Sequence, residues 1–480
     1  MKLSELLCGV DVVALHADPE TEIPSVCYDS RAAAPGCLFV AVRGYQTDGH
    51  KYIRNAWEKQ AAAAVVEEMP RDCDIPCVVV RDSRRALAQI SAAYFGHPER
   101  RVPIIGVTGT NGKTTVTNLV KEILERGGAK CGLIGTNGNR IGQEMLHSDR
   151  TTPESYELFK LFAEMTEEGC DHIIMEVSSH SLALDRVYGI GFHTAVFTNL
   201  TQDHLDFHGT MEAYAQTKAM LFDRCAHSIV NADDPYAAVM LGGSCADHRT
   251  FSTRDSGADY YAHHIELGIG GVDFDLTCGG NTHRVHLGIP GMFSVYNALA
   301  AIGCCVSLGI PVQTVIERLA LAHGVKGRAQ VVPTGTDYTV LLDYAHTPDG
   351  VENILKAARG FARGRVIALF GCGGDRDRTK RSIMGRIAGS LADFCVVTSD
   401  NPRTEAPMAI IEDILPGVRE SGGAYIVIED RRAAIRQALS MGQAGDVIVL
   451  MGKGHEDYQE INGVKHHLDE YEEVMAYYQK

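Results

Sequence analysis

The feature that most constrains this 480-residue chain is a glycine-rich loop between a predicted strand and a predicted helix. The loop, Gly109-Thr110-Asn111-Gly112-Lys113-Thr114-Thr115, follows the apolar run 104–107. Apolar residues then recur at helical spacing as far as Gly127-Gly128. A loop in this position directs backbone N–H groups at the positive end of the helix. The sequence therefore predicts a phosphate-binding loop.

The residue types in this loop suit a nucleotide. Lys113, expected on a solvent-facing loop, would neutralise the β- and γ-phosphates, and Thr114 or Thr115 would offer a hydroxyl to Mg²⁺. The spacing departs from the usual P-loop, since Val107 occupies the position of its first glycine. The alternative is a glycine-rich turn that binds nothing. Because both flanks have the required strand and helix, we predict an enzyme that consumes ATP with Mg²⁺.

The composition argues against several classes of protein. A net charge of −16 disfavours nucleic acid as a partner and requires that positive charge be concentrated locally. Fourteen cysteines without a Cys-x-x-Cys pair indicate reduced thiols, not disulfides or a cysteine zinc site. No apolar run approaches the ~20 residues that span a bilayer, and Glu5 and Asp11 argue against a secretory signal. We expect a cytoplasmic monomer that acts on small molecules, without nucleic acid or membrane insertion.

Two breaks in the pattern predict three domains of the α/β class. Gly96-His97-Pro98, followed by basic residues and Pro103, is typical of a linker, and a second boundary lies near 324–328. We predict an N-terminal domain over residues 1–98 and a central ATP-binding domain with a P-loop-type parallel sheet over 99–327. Residues 328–480 would form a C-terminal Rossmann-like α/β domain.

Polar residues follow the predicted strands at several further places. The apolar runs, each given with the polar residues that follow it, are 173–175 with Glu176, 195–197 with Asn199 and Asp203-His204, 338–342 with Asp343, 366–370 with 371–376, 394–398 with 400–403, and 447–451 with 452–456. In open α/β sheets, ligands bind at the carboxyl ends of the strands. We therefore expect two α/β domains that face each other across one cleft.

Two of these candidates, and Lys218 elsewhere in the chain, have an ordinary structural interpretation. Glu176 could reach the Mg²⁺ of the nucleotide or cap the next helix, and position alone does not decide. His204 could bind metal, although a loop histidine is more often a surface or packing residue. Lys218 lies on a predicted helix over 214–222, and its spacing indicates only an ordinary solvated lysine.

The last third of the chain offers two weaker motifs. Gly373-Gly374-Asp375-Arg376 contains part of a dinucleotide-binding fingerprint without its full spacing. Asp400-Asn401-Pro402-Arg403 is by default a proline turn. Arg403 could instead hold a carboxylate with its planar guanidinium. Taken alone, the tetrapeptide favours the turn.

Together, these motifs resemble those of the Mur ligase family, in order and along nearly the whole chain. Residues 108–115 resemble the family's ATP loop, 176–180 and 199–204 its central signatures, and 293–301 with Asn297 its adenine-contacting segment. Residues 28–31 and 44–49 resemble the uridine-binding domain of the branch that adds the third residue of the peptidoglycan stem peptide, and 151–153 resemble its substrate loop. Leu184 departs from this pattern, because some relatives have a substrate-contacting glutamine there.

Residues 400–403 have the form found in relatives that add meso-diaminopimelate, and lysine-adding relatives usually lack the arginine. Bound lysine would leave the Arg403 guanidinium unpaired, which would penalise the wrong amino acid. The resemblance implies an ATP-dependent amide ligase. It would phosphorylate the D-glutamate carboxylate of UDP-N-acetylmuramoyl-L-alanyl-D-glutamate and join it to the amine of meso-2,6-diaminopimelate.

The same resemblance assigns roles to individual residues. Catalysis falls to Lys113, Glu176, His204 and Lys218, and Lys218 would be carbamylated. Residues 1–98 would hold the uridine nucleotide, and 328–480 the amino acid. The implied contacts are Gly109, Thr110, Asn111, Gly112, Lys113, Thr114, Thr115, Asn297, Arg328 and Asp343 for ATP; Tyr28, Ser30, Tyr45, Gln46, Thr47, Thr151, Thr152, Ser178 and Arg186 for the UDP-sugar-peptide; Arg376, Asp400, Asn401, Pro402, Arg403, Gly452 and Glu456 for diaminopimelate; and Thr115, Glu176, His204 and carbamylated Lys218 for Mg²⁺.

Two alternatives stay open from the sequence. A lysine-adding or other Mur ligase, or a folylpolyglutamate synthetase, would share the central domain, but the uridine-type motif and Arg403 argue against it. A P-loop kinase or a nucleotide-regulated binding protein would lack ligase activity. Release of ADP and phosphate that requires both a carboxylate and an amine distinguishes the ligase from that second class.

Overall fold

The computed structural model describes residues 1–44, 47–71, 74–146, 148 and 150–479. Within these ranges, three large sheets follow one another along the chain, and helices connect most of their parallel strands. The α/β class is confirmed. None of the helices described is both long and apolar enough to cross a membrane.

The N-terminal sheet has the strand order β1-β5-β4-β3-β2. Its strands are β1 (Val12–His16), β2 (Val26–Cys27), β3 (Leu38–Val40), β4 (Ala63–Val66) and β5 (Cys77–Val80), with helices α1 (Leu3–Leu6), α2 (Ile53–Glu58) and α3 (Ser83–Tyr94). Only β1 is antiparallel to its neighbour. The apolar β4 is buried along its whole length, as expected for a parallel strand that is covered on both faces.

The central sheet has the order β16-β15-β14-β13-β12-β11-β6-β10-β7-β8-β9. Its strands are β6 (Ile104–Thr108), β7 (Cys131–Ile134), β8 (Asn139–Ile141), β9 (Glu144–Leu146), β10 (His172–Glu176), β11 (Phe192–Phe197), β12 (Cys225–Asn231), β13 (Asp247–Ser252), β14 (Tyr260–Gly268), β15 (Gly271–Cys278) and β16 (Asn281–Leu287). Its helices are α4 (Lys113–Glu125), α5 (Ser155–Glu167), α6 (Ser179–Ala183), α7 (Leu205–His208), α8 (Met211–Ala219), α9 (Ala237–Leu241), α10 (Met292–Ser307) and α11 (Val312–Leu319).

The sequence predicted a parallel central sheet, and its middle strands are parallel, but strands at both edges are antiparallel. The strands from β14 across to β7 run parallel, but β15–β16 at one edge and β8–β9 at the other add antiparallel pairings. Short connections, such as Gly279-Gly280 between β15 and β16, leave no room for the crossover that a parallel pair needs. The strand that carries the phosphate loop, β6, lies between β10 and β11.

The C-terminal sheet has the order β17-β18-β22-β19-β20-β21, and only β17 is antiparallel to its neighbour. The strands are β17 (Gln330–Val332), β18 (Thr339–Asp343), β19 (Val366–Phe370), β20 (Phe394–Val397), β21 (Tyr425–Val427) and β22 (Val447–Met451), followed by the hairpin β23 (Tyr458–Ile461) and β24 (Val464–His467). The helices are α12 (Pro348–Phe361), α13 (Thr379–Leu391), α14 (Pro407–Ser421), α15 (Arg431–Ser440) and α16 (Glu470–Tyr478). The predicted boundaries near 98 and 327 fall between the sheets and stay predictions.

A buried ion pair braces two loops at the edge of this sheet. Arg431 begins α15 and Glu470 begins α16; both side chains are fully buried, with 2.8 Å between Nη2 and Oε1. The guanidinium also donates to the carbonyl oxygens of Ser399, at 3.1 Å, and Met451, at 2.7 Å. The pair therefore fixes the backbone where the chain leaves β20 and β22.

We expect Glu470→Ala to destabilise the C-terminal sheet by ~3–5 kcal/mol, because it leaves the Arg431 charge buried and unpaired. Urea unfolding followed by circular dichroism measures the change. Glu352→Ala is the matched control, since its ion pair with Lys356 on α12 is exposed and should contribute no more than ~1 kcal/mol. Equal losses in the two variants would contradict the bracing role.

Candidate active site

A cavity of about 890 Å³ lies between the carboxyl ends of the central and C-terminal sheets. The candidate residues that line it are Gly109, Thr110, Asn111, Gly112, Lys113, Thr114, Thr115, Thr151, Glu176, Ser178, His204, Lys218, Asn297, Arg328, Asp343, Arg376, Asp400, Asn401, Arg403, Gly452 and Glu456. The candidates that do not line it are Tyr28, Ser30, Thr47, Thr152, Arg186 and Pro402. Tyr45 and Gln46 lie outside the described residues.

Asn199 holds the phosphate loop in its conformation. Its backbone oxygen accepts from the amide of Thr110 at 2.9 Å, and its side-chain oxygen accepts from the amide of Asn111 at 2.9 Å. These two amides are therefore engaged within the protein. The amides of the first turn of α4, from Lys113 onward, have no acceptor within the helix and face the cavity end of the loop. They form the part of the loop that suits an anion.

Two lysine ammoniums meet at one carbonyl oxygen of this loop. The Nζ atoms of Lys113 and Lys218 lie 3.0 Å and 2.8 Å from the oxygen of Gly109. Burial, and then the charge of Lys113, lowers the pKa of Lys218 well below its ordinary value. Burial also lowers the pKa of Lys113. The site thus places two lysine side chains whose positive charges disfavour each other where a polyphosphate would lie.

Both lysines correct an expectation from the sequence. Lys113 is the first residue of α4 and is half-buried, so it does not lie on a solvent-facing loop. Lys218 is 1% exposed, so the solvated lysine that its spacing indicated is wrong. Spacing along α8 places Tyr214 one turn before Lys218, and its ring centroid lies 4.5 Å from Nζ. Spacing could not reveal the contact with Gly109, which precedes that helix by a hundred residues.

Glu176 ends β10 beside the phosphate loop and is almost fully buried. Its two carboxylate oxygens accept from the amide of Thr136 at 2.9 Å and from the hydroxyl of the same residue at 3.0 Å. Capping of the next helix, the alternative for Glu176, is wrong: the side chain of Ser178 caps α6 by accepting from the amide of Ser181. Glu176 is therefore a fixed anionic group at the cavity wall.

His204 lies in a cluster of polar rings above the loop. Its Nε2 is 3.4 Å from the carboxylate of Asp203, and its ring centroid is 4.8 Å from that of His180. Burial lowers the pKa of His204 to about 4, even though Asp203 opposes the shift. The imidazole is neutral near pH 7 and keeps a lone pair available for a cation.

Three candidates lie on the nucleotide side of the cavity. The side-chain oxygen of Asn297 lies directly over Gly112. Arg328 donates to the hydroxyl of Thr114 at 3.2 Å and stacks over Tyr344 at 4.6 Å. Asp343 accepts from the amides of Ala329 and Ala345, both at 2.7 Å, while burial raises its pKa. Arg328 thereby links the start of the C-terminal sheet to the phosphate loop.

On the opposite side, buried Lys453 organises the amino-acid loops. Its Nζ lies 2.6 Å from Oδ1 of Asn401 and 3.1 Å from the carboxylate of Glu456. Burial alone would raise the pKa of Asp400, but the charges of Lys453 and Arg431 outweigh it and hold that pKa below its ordinary value. The loops after β20 and β22 are therefore one connected network.

Arg403 reaches the cavity from a strained turn. The amide of Glu405 donates to the oxygen of Pro402 at 3.0 Å, so the turn spans 402–405, two residues later than the predicted 400–403, and Arg403 within it has a φ of 52°. The guanidinium donates to the oxygen of Gly374 at 2.8 Å and lies 3.3 Å from the carboxylate of Glu460. The expectation that Arg403 would be unpaired without a substrate carboxylate is wrong, because Glu460 is its partner.

Arg376 lies nearby and is exposed. Its Nη1 donates to the backbone oxygen of the preceding residue, at 3.1 Å. Arg376 and Arg403 thus present two guanidinium groups to the same end of the cavity.

The predicted sugar-peptide residues lie toward the N-terminal sheet. The hydroxyl of Tyr28 donates to Glu157 of α5 at 2.9 Å, and Arg186 lies 3.3 Å from Glu154. Thr152 donates to the backbone oxygen of Glu176 at 2.8 Å. Thr151 touches the hydroxyl of Thr136 at 3.1 Å. The loop 151–152 therefore connects this region to the cavity.

Three residues that organise the cavity, Thr136, Arg431 and Lys453, were not predicted from the sequence. Lys453 stands within the motif 452–456, where only Gly452 and Glu456 were selected. A lysine between two glycines directly after a fully apolar strand is the signal that could have identified it. Thr136 and Arg431 leave no such signal, because their roles arise from contacts between distant elements.

Comparisons with known proteins agree with this arrangement. The profiles that match are described as Mur ligase family, catalytic domain (residues 22–95), Mur ligase middle domain (107–305) and Mur ligase, glutamate ligase domain (327–454). A UDP-N-acetylmuramoyl-L-alanyl-D-glutamate--2,6-diaminopimelate ligase of Clostridium botulinum is 48% identical over 459 residues, 94% of each chain.

Solved structures show the same fold. A structure with that ligase name has a TM-score of 0.73 at 32% identity and covers 100% of this chain and 99% of its own. A MurF ligase from Thermotoga maritima, solved in complex with ADP, has a TM-score of 0.63 at 20% identity and covers 96% and 97%. The resemblance read from the motifs is confirmed, as is the three-domain α/β fold.

We expect Gly112→Ala to weaken binding of a fluorescent ATP analogue at least ~10-fold, about 1.4 kcal/mol. Gly112 has a φ of 89°, and an added Cβ would lie 2.6 Å from Oδ1 of Asn297, so the loop must shift. Gly128→Ala is the matched control: its φ is 90°, but a Cβ there meets nothing within 4 Å. Fluorescence titration measures both, and unchanged affinity in Gly112→Ala would exclude this loop as the nucleotide site.

Proposed function

The chain belongs to the Mur ligase family, and we propose that it joins meso-2,6-diaminopimelate to the D-glutamate of UDP-N-acetylmuramoyl-L-alanyl-D-glutamate at the expense of ATP. One observation carries the proposal. A single cavity is lined by the phosphate loop of the central sheet and by the Asp400–Arg403 loop of the C-terminal sheet. A phosphorylated carboxylate and an incoming amine can meet there.

The reaction proceeds in two balanced steps. A D-glutamate carboxylate oxygen attacks the γ-phosphorus of ATP, and the bond to the ADP oxygen breaks. The diaminopimelate amine then attacks the acyl carbon, the C–O bond to phosphate breaks, and the nitrogen loses a proton. A free carboxylate is a poor electrophile, and phosphorylation supplies the leaving group. The protein contributes positioning and charge neutralisation.

The phosphate loop and its lysines act on the transferred group. Lys113 and the first-turn amides of α4 hold the β- and γ-phosphates. The lysine stabilises the negative charge that develops on the equatorial oxygens during transfer. Asn297, Arg328 and Asp343 hold the adenosine part on the other side of the loop.

Glu176, Thr115 and His204 are the proposed ligands of Mg²⁺ together with a carbamylated Lys218. Bound Mg²⁺ would neutralise phosphate charge. A carboxylate and a hydroxyl suit this hard cation, but an ammonium at Lys218 does not. Burial lowers the pKa of Lys218, which favours the neutral amine that combines with CO₂ to give a carbamate and a proton. The modification replaces a repelling charge with two oxygen donors.

Residues near the N-terminal sheet hold the sugar-peptide. We assign Tyr28, Ser30, Tyr45, Gln46 and Thr47 to the uridine nucleotide. Thr151, Thr152, Ser178 and Arg186 hold the peptide part. The contacts from Thr151 to Thr136, and from Thr136 to Glu176, link the peptide loop to the site of phosphoryl transfer.

Arg403 and Arg376 are proposed to bind the distal carboxylate of diaminopimelate, which lysine lacks. A guanidinium binds a carboxylate through two parallel hydrogen bonds. Asp400, Asn401, Gly452 and Glu456 hold the amino and carboxyl groups of the amino acid, and Pro402 stiffens their loop. Glu460 must release Arg403 or share it with the substrate.

We further propose that the enzyme works as a cytoplasmic monomer in peptidoglycan precursor synthesis. Its activity then supports cell-wall formation, cell shape and division through the cell cycle. The size of the substrates, a UDP-sugar-dipeptide, an amino acid and ATP, suits the cavity and the adjoining N-terminal region.

An amino-acid panel tests the proposed function. With ATP, Mg²⁺ and the UDP-dipeptide, meso-diaminopimelate should give the amide product together with stoichiometric ADP and phosphate, and L-lysine should give little. Mass spectrometry of the products measures both. Preference for lysine would overturn the specificity, and ATP hydrolysis without any amide product would overturn the ligase.

Lys218→Ala should lose most ligase activity, and small carboxylic acids such as formate should restore part of it by supplying the missing oxygen atoms. Lys121→Ala is the matched control, since Lys121 is also buried but pairs with Glu125 away from the cavity. Ligase assays with and without acid, and the intact mass under bicarbonate, provide the measurement. An unmodified, fully active Lys218 would refute the carbamate.

Arg403→Ala should lower kcat/KM for diaminopimelate by roughly 30-fold or more, since removal of one side of a buried charged pair costs at least ~2 kcal/mol. The KM for ATP should change little, because Arg403 lies on the amino-acid side. Arg378→Ala, which removes an exposed arginine outside the cavity, is the control. Steady-state kinetics measure both constants. An unchanged kcat/KM for diaminopimelate in Arg403→Ala would contradict the assignment.

A further inference from the structure

We propose that His263, His264 and Asp275 bind a divalent transition metal, Zn²⁺ above all, on the antiparallel edge of the central sheet. The histidines lie on β14 and the aspartate on β15, and none of the three lines the central cavity. Their ligand atoms all lie within 4.8 Å of one another. The site is separate from the proposed ligase chemistry and goes beyond it.

A β-bulge brings the two consecutive histidines together. Successive residues of a strand normally point to opposite faces of the sheet. Here the register of β14 against β15 shifts between His263 and Glu266, and His264 has a φ of 47°. The left-handed conformation is strained for a residue other than glycine, and bulges of this kind redirect side chains. This strained conformation places both imidazoles beside Asp275.

The spacing of the ligand atoms suits a metal. The Nδ1 atoms of His263 and His264 are 3.2 Å apart, and Nδ1 of His264 is 2.9 Å from Oδ2 of Asp275. Tetrahedral zinc, with bonds of roughly 2.0–2.2 Å, spaces its nitrogen and oxygen ligands roughly 3.3–3.5 Å apart. Two of the ligand–ligand distances are therefore slightly shorter than zinc requires, and the third is at most 4.8 Å. Small rotations of the three side chains can bring these distances to the zinc values.

Neighbouring groups orient two of the ligands. The Nε2 of His263 lies 3.0 Å from the hydroxyl of Thr277. When that nitrogen donates its proton to Thr277, Nδ1 presents a bare lone pair, the arrangement usual for a metal-binding histidine. Arg284 lies 3.3 Å from Oδ1 of Asp275, which leaves Oδ2 to the metal, and Glu266 at 2.7 Å neutralises the other end of that guanidinium.

The donor set selects the class of cation. Two imidazoles and one carboxylate suit zinc and its transition-metal neighbours, whereas Mg²⁺ prefers oxygen ligands. Three protein ligands leave a fourth position for water, and His264 is 75% exposed, so a metal can enter from solvent. The cysteine pattern excluded thiolate zinc sites only; this site contains no cysteine.

Zinc titration of the full chain, with a chromophoric chelator as competitor, tests the proposal. The wild type should bind one more equivalent of Zn²⁺ than His264→Ala, and Thr277→Val should weaken that equivalent by ~10–100-fold. His286→Ala is the matched control, because His286 pairs with Asp273 on the same sheet outside the cluster and should keep the equivalent. Excess Mg²⁺ should not compete.

Asp275→Asn provides a second variant that preserves side-chain size, and it should also lose the equivalent. Ligase activity and circular dichroism of each variant should match the wild type, which separates this test from that of the proposed function. A zinc-soaked crystal should show an anomalous peak at the three ligand atoms. Equal zinc binding by the wild type, His264→Ala and Asp275→Asn, or a crystal without that peak, would overturn the proposal.

Discussion

The rest of the site is arranged around the carbonyl oxygen of Gly109, which accepts hydrogen bonds from the ammoniums of both Lys113 and Lys218. Two positive charges so close together in a buried site repel each other. The arrangement becomes favourable when a polyphosphate arrives or when one lysine loses its charge. ATP binding and carbamylation, as proposed, each relieve the repulsion. A chain with a net charge of −16 can bind an anionic nucleotide because Lys113 and Arg328 place positive charge beside the phosphate loop.

A second buried charge network positions the loops on the amino-acid side of the cavity, opposite the phosphate loop. Lys453 joins Asn401 to Glu456, and the Arg431–Glu470 pair fixes the backbone where β20 and β22 end. Buried charges are tolerated when they are paired and hydrogen-bonded. Their contribution in this protein is the position of the two loops that line the amino-acid side of the cavity. Arg328, which precedes the C-terminal sheet, connects the two sides of the cavity by donating to the hydroxyl of Thr114.

The local pattern of apolar and polar residues was sufficient to predict the main strands and helices and the candidate site residues at the ends of strands. The phosphate loop, β10 with its terminal Glu176 and the strands of the C-terminal sheet follow directly from apolar runs and the polar residues after them. The burial of Lys218 could not be predicted in this way, because it depends on a contact with Gly109, which belongs to another segment. The same holds for Glu460 beside Arg403, and for the hairpin edges of the central sheet. What failed was the prediction of long-range pairing, not of local structure.

The transfer of oxygen from substrate to phosphate tests the central claim most directly. When the D-glutamate carboxylate of the UDP-dipeptide carries ¹⁸O in both oxygens, the acyl-phosphate route leaves one labelled oxygen in the amide and passes the other to inorganic phosphate. The account predicts one ¹⁸O in phosphate for each amide bond formed in the presence of ATP and meso-diaminopimelate, measured by mass spectrometry. Phosphate that contains no label, with amide still formed, would contradict it.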